Sequence, residues 1–240
     1  MATVLSKKGW LRKKEFAAVC GFASPGWVMV DVLSLYLGAV IVPLPLNVSY
    51  EDLQHMLDES GARIVFVAAE EAESLVGNVL GKEGVCPSVE MVVVMDYGKE
   101  EEGQEWVARL RPMLPASVVR VLTMQELLLM HNESSSSSSS GAFEAPAVPG
   151  GEGWEEEPNP LLGLIYTSGS AGRPKGAMYT EKLMRALWHT GFSWGVGKIP
   201  VVSLGFLPLN HIGTCFVSSI PPSLPLDDAS MCSYSLPHSG

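Results

Sequence analysis

The sequence predicts an α/β fold built on a largely parallel sheet with helices on both faces. Three observations predict it. The runs Ala39-Val40-Ile41-Val42-Pro43-Leu44, Ile64-Val65-Phe66-Val67 and Met91-Val92-Val93-Val94-Met95 are continuously apolar, not alternating, as strands covered on both faces are. The stretches between them carry helix start and stop residues. Strand and helix therefore alternate, the order expected of parallel strands joined by helical crossovers.

The elements follow in order. Ser24-Pro25 predicts a helix start, with Ser as N-cap and Pro at the first helical position. Gly38 is its stop, and Ala39 to Leu44 is the strand after it. Ser49 opens a second helix, with Glu51 and Asp52 in a first turn that favours negative charge. Gly61 ends that helix, and Arg63 to Val67 is the next strand. A helix around Glu70 to Leu80 leads to the strand Glu90 to Met95. Residues 1–132 thus read as a first α/β lobe.

Residues 133–160 read as a disordered linker. Ser134 to Ser140 is an unbroken serine tract, and Gly141 to Pro160 is rich in Gly, Pro and Glu, a composition that cannot bury a core. Glu155-Glu156-Glu157 belongs to that solvated linker. The second ordered part spans 161–220. Leu161 to Tyr166 is an apolar strand. Thr180 is the expected N-cap of a helix with Leu183, Met184, Leu187 and Trp188 on one face. Those large residues are core or, alternatively, the wall of an acyl-chain pocket. Val201 to Leu209 is a strand that delivers Asn210 and His211 to its end, where open α/β sheets bind ligands. Residues 221–240 show no periodicity and are expected to be an irregular tail.

Between these parts lies Tyr166-Thr167-Ser168-Gly169-Ser170-Ala171-Gly172-Arg173-Pro174-Lys175-Gly176. Gly169, Gly172 and Gly176 let the backbone approach a ligand, and successive N–H groups in such a turn bind anions. Thr167, Ser168 and Ser170 add hydroxyl donors, Lys175 adds a compact positive charge, and Pro174 stiffens the loop. The run lacks the Gly-Lys-Ser/Thr of a Walker A loop and the Gly-x-Ser-x-Gly of a nucleophile elbow. A Gly/Ser surface loop is the plain alternative. The flanks argue against it: an apolar strand feeds the loop, and Ala177-Met178-Tyr179 and a helical segment leave it, as in a phosphate site.

The run resembles the nucleotide-binding loop of the adenylate-forming (AMP-binding, acyl-CoA synthetase-like) superfamily, Tyr-Thr-Ser-Gly-Ser/Thr-Thr-Gly-x-Pro-Lys-Gly. Its continuation Gly176-Ala177-Met178-Tyr179-Thr180-Glu181 is most similar to the adenylation domain of carboxylic acid reductases. Gly21-Phe22-Ala23-Ser24-Pro25, Tyr36 to Leu44 and Phe206-Leu207-Pro208-Leu209-Asn210-His211-Ile212-Gly213 resemble flanking motifs of that group. The resemblance covers about Phe16 to Val217 and implies the large N-terminal domain of such an enzyme, present in part.

The resemblance also implies the chemistry. A carboxylate, fatty or aryl, would attack the α-phosphorus of Mg2+-bound ATP, giving an acyl-adenylate and pyrophosphate. Thr167, Ser168, Gly169, Ser170, Ala171, Gly172 and Gly176 would cradle the phosphates, and Lys175 would balance their charge. His211, with Asn210 beside it, would sit near the acyl carboxylate or the α-phosphate, although a lone histidine also reads as a packing residue. The acceptor thiol would be a carrier-protein phosphopantetheine in a reductase or coenzyme A in a long-chain acyl-CoA ligase. A nucleotide-binding protein that forms no adenylate is the third alternative.

Three departures accompany the match. Ala171 replaces a threonine, removing a hydroxyl whose bond to a charged group would contribute about 1.5–3 kcal/mol. The Tyr-Gly-x-Thr-Glu motif that supplies the magnesium glutamate is absent, Tyr97-Gly98-Lys99-Glu100 being different. The ribose-binding aspartate and the lid lysine have no counterpart, so no metal ligand is assigned and a truncated N-terminal piece is expected.

Composition narrows the classes. The net charge of −10 over 240 residues argues against nucleic-acid binding. Four cysteines, Cys20, Cys86, Cys215 and Cys232, show no paired spacing, so buried free thiols are expected. Cys232 and His238 do not make a ligand set. Trp27 to Leu46 contains Asp31, Gly38, Pro43 and Pro45, so no transmembrane segment is expected. A cytoplasmic location is expected, with peroxisome or plastid as alternatives.

Overall fold

The computed structural model describes residues 1–95, 100–116, 118, 120–136, 159–167, 172–184, 186, 203–204 and 233–234. The elements run α1 (Ala2–Lys7), β1 (Phe16–Cys20), α2 (Pro25–Leu37), β2 (Val40–Leu44), α3 (Tyr50–Ser60), β3 (Ile64–Ala68), α4 (Ala69–Leu75), β4 (Met91–Met95), α5 (Glu100–Leu110), β5 (Arg120–Thr123), α6 (Met124–Ser136), β6 (Leu161–Thr167) and β7 (Lys175–Thr180). A π-helical turn, Val76–Leu80, extends α4. Two short strands, β8 (Ser203–Leu204) and β9 (Ser233–Tyr234), pair in parallel with each other.

Seven strands form one sheet in the order β5-β4-β3-β1-β2-β6-β7. Every neighbouring pair is parallel except β6 and β7. The expected fold class is therefore observed. Strand β1, which the sequence analysis does not assign, is the centre of the sheet. It pairs with β2 through Phe16↔Val40 to Cys20↔Leu44 and with β3 through Ala17↔Ile64 to Cys20↔Val67.

The two faces hold separate apolar layers. Helices α1, α2 and α6 cover one, burying Leu5, Trp27, Val30, Leu33 and Leu127 against Ala17, Val19, Phe66 and Val93. Helices α3, α4 and α5 cover the other, burying Leu53, Met56, Leu57, Leu75 and Leu110 against Ala18, Val42, Val65 and Val92. Successive strand residues point to opposite faces, so both sets along β1, β3 and β4 must be apolar.

The local signals act as expected at four helix ends. Ser24 Oγ accepts from Trp27 N–H at 3.2 Å, and Ser49 Oγ accepts from Asp52 N–H at 3.1 Å. Gly38 and Gly61 close α2 and α3 in the left-handed conformation. Thr180 differs. It is the last residue of β7, and the helical turn at 181–184 is capped by Asn159, whose Oδ1 accepts from Lys182 N–H at 3.0 Å. Met184 is buried there, Leu183 is exposed, and Leu187 and Trp188 lie outside the described residues. Helix α6 reaches Ser136, so the serine tract begins inside a helix. The linker's 137–158 lie outside the described residues. In the stretch expected to be irregular, Ser233–Tyr234 is a strand.

Cys20 and Cys86 are free and buried. Burial pushes the Cys20 thiol up to about 12, helped by the Glu71 carboxylate. Burial does the same to Cys86, helped by Asp58, whose Oδ1 accepts from Cys86 N–H at 2.9 Å. Both folded thiols hold their protons more tightly than the unfolded value of 9.0. Their contribution to stability is whole below pH 9.0 and is lost as the pH climbs towards about 12. The denaturation midpoint is expected to fall with pH across that window, and Cys20→Ala is expected to flatten the fall. An unchanged slope in Cys20→Ala would rule out the thiol as its source.

Candidate functional site

The glycine-rich run joins β6 to β7. Strand β6 lies beside β2 through Ile41↔Gly163, so its last residue, Thr167, emerges at the C-terminal end of the parallel strands. The chain returns antiparallel, with Thr167 opposite Lys175, Tyr166 opposite Gly176 and Ile165 opposite Ala177. Thr167 Oγ1 donates to Lys175 O at 3.5 Å. Both side chains are exposed at the mouth of the connection. A hydroxyl and an ammonium thus stand on facing strand ends.

The segment leaving the loop, Ala177-Met178-Tyr179, is part of strand β7, and the expected helical segment follows it at 181–184. Among the described residues no helix N-terminus therefore adjoins the loop on this side.

The connection is anchored at both ends. Tyr166 is buried, and its hydroxyl donates to Met56 O of α3 at 3.2 Å. Burial, and then the Glu59 carboxylate, raises the phenol well above its ordinary value, so it stays neutral. Tyr166→Phe is expected to lower stability by about 0.5–1.5 kcal/mol, read as a shift in urea midpoint. No shift would show the bond contributes nothing. On the return side Pro174 is buried while Arg173 is exposed. Gly172 has φ 137 with nothing within 4 Å of a built Cβ, so backbone conformation, not crowding, calls for glycine there.

The sequence gives Arg173 no role, yet it is a second exposed cation two residues before Lys175. Ser168, Gly169, Ser170, Ala171, Asn210 and His211 lie outside the described residues. Strand β1 also ends on this edge of the sheet, at Cys20, and is followed by Gly21 and the exposed Phe22. Its connection passes to the face of α2, whereas those of β2 and β3 pass to the other face. That divergence is a topological switch point, where such sheets bind ligands. A Cβ on Gly21 would stand 2.7 Å from Ala68 Cβ, which keeps this end of β1 free of side chain. Among the described residues no group of three or more His, Cys, Asp or Glu could hold a metal ion, and no helix is long and apolar enough to cross a membrane.

A family model described as AMP-binding enzyme matches residues 1–223. The chain belongs to the AMP-binding enzyme family. A relative, the carboxylic acid reductase of Mycobacterium tuberculosis, is 31% identical over 215 residues, 89% of this chain and 17% of that protein. The chain therefore spans about a sixth of that relative's length. The adenylation domain of a carboxylate reductase from Mycobacterium chelonae superposes with TM-score 0.71 at 29% identity, over 90% of this chain and 31% of that one. The A-PCP didomain of the Segniliparus rugosus carboxylic acid reductase, solved with AMP, superposes with TM-score 0.67 at 26% identity, over 90% of this chain and 29% of that one.

Proposed function

We propose that this chain supplies the phosphate-binding part of an enzyme that activates a carboxylic acid with ATP, in the manner of a carboxylic acid reductase. The observation that carries the reading is the β6–β7 hairpin at the C-terminal edge of the sheet, with Thr167 facing Lys175 across a glycine-bearing connection. Likeness to reductase adenylation domains supports it, and one of those neighbours was solved with AMP.

In the reaction a carboxylate oxygen attacks the α-phosphorus of ATP. The new oxygen–phosphorus bond makes the acyl-adenylate, and the bond to the bridging oxygen breaks with its electron pair going to pyrophosphate. No proton needs to move. Thr167, Ser168, Gly169, Ser170, Ala171, Gly172 and Gly176 line the β- and γ-phosphates through backbone N–H groups and hydroxyls. Lys175 offsets the charge that gathers on the departing pyrophosphate. Asn210 and His211 are assigned to the acid's carboxylate. ATP fits the donor set at this edge. Magnesium has no ligand cluster among the described residues and carries no step here.

The test is exchange of labelled pyrophosphate into ATP by the full-length protein. Exchange is expected only when a carboxylic acid is present. Exchange without acid, or ATP binding with no exchange under any acid, would overturn the reading. Transfer of the acyl group to a carrier phosphopantetheine supports the reductase assignment, whereas transfer to coenzyme A alone would replace it with a ligase.

A further inference from the structure

The pole of the sheet opposite the hairpin carries a dense group of cations. Lys7, Lys8, Arg12, Lys13 and Lys14 fall within residues 1–14, which contain no carboxylate, and all five are exposed. Residues 15–240 carry the remaining 11 basic groups against 26 acidic ones, a net of −15. The whole-chain charge of −10 therefore hides a strongly positive end. Glu15 and Glu90 lie at this pole too; Arg63 bridges both at 2.6 Å, and the three groups together set one negative charge against the five cations. Arg120, at the start of β5, stands 4.8 Å from the centroid of the Trp10 ring, and Lys8 Nζ stands 5.3 Å from it.

Lys14 has φ 69, a left-handed conformation that glycine or asparagine adopts with less strain. Its N–H donates to Gly38 O at 2.8 Å, which fixes that turn against the end of α2.

We propose that this basic pole docks the protein on an anionic lipid surface. Clusters of four to eight Lys and Arg on one short segment suit such a surface. An extended nucleic acid fits less well, because the rest of the chain would repel a polyanion running across it. Four of the five cations are lysines, which act as point charges and lack the fork with which arginine reads phosphates and bases. Docking through this pole leaves the Thr167–Lys175 edge facing away from the lipid. The proposal stands independently of the activity proposed above.

The test sediments the full-length protein with phosphatidylcholine vesicles, with and without phosphatidylserine. The protein is expected to partition onto the anionic vesicles and to be released by raised salt. A triple variant, Lys7→Gln, Lys13→Gln and Lys14→Asn, is expected to partition on the order of 100-fold more weakly. Asparagine keeps the left-handed turn accessible, and an unchanged thermal transition certifies the fold. Lys82→Gln, outside residues 1–14, removes one charge and is expected to weaken partitioning by no more than about fivefold. No binding to anionic vesicles, equal binding by the triple variant, or tighter binding to duplex DNA or polyglutamate than to vesicles would each overturn the proposal.

Discussion

Lys175→Ala is expected to slow acid-dependent pyrophosphate exchange by the full-length enzyme roughly 100- to 1,000-fold. That is the loss seen when one preorganised donor to a developing oxyanion is removed. The residue opens β7 opposite Thr167 and is exposed, so its side chain supports no core. Stability is therefore expected to change by less than about 0.5 kcal/mol, as for other surface substitutions. The two readouts separate a functional lysine from a structural one. Lys175→Arg keeps the charge but exchanges a compact ammonium for a planar fork, and an intermediate rate is expected. Exchange at the parent rate in Lys175→Ala would remove the residue from the mechanism.

Phe66→Ala is expected to cost about 3–5 kcal/mol of stability, through lost burial and the cavity left behind. Phe66 is fully buried in β3, beside the central strand, in the layer that Trp27 and Val30 close from α2. Against the 5–15 kcal/mol typical of a whole domain, such a loss leaves little margin at about body temperature. Denaturant unfolding of the full-length protein would register it as a lower midpoint. A loss under about 1 kcal/mol would mean that the two-faced core described here is not formed.

Much of this fold is legible locally, and the illegible parts have physical reasons. Ser24 with Gly38, and Ser49 with Gly61, act where the sequence places them, because capping is decided within one helical turn. Strands β2, β3 and β4 read clearly because both faces are covered by helices and nearly every residue is buried. The central strand β1 does not read. Its Phe16-Ala17-Ala18-Val19-Cys20 is short, carries two alanines and follows Lys13-Lys14-Glu15, so its burial is set by neighbours distant in sequence. Strand β7 reads poorly for the opposite reason. It lies at the sheet edge among the described strands, with mixed exposure and no alternation. The cap on the turn after it comes from Asn159, which no pattern around Thr180 reveals.

The site divides in the same way. The glycine-rich loop is visible as a motif, and the facing of Thr167 and Lys175 then follows from strand register. The anchor that steadies it, Tyr166 to Met56, joins residues 110 apart and is a tertiary fact only. The basic pole escapes a reading based on total charge, since the acidic remainder of the chain outweighs it.

The most direct test of the central claim follows oxygen from the acid. The full-length protein is given ATP and a carboxylic acid labelled with 18O in its carboxylate, and the phosphate-containing products are weighed by mass spectrometry after acyl transfer. Attack on the α-phosphorus predicts one labelled oxygen in AMP and none in pyrophosphate. Label in inorganic phosphate, with ADP as the partner product, would place the attack on the γ-phosphorus and contradict the account.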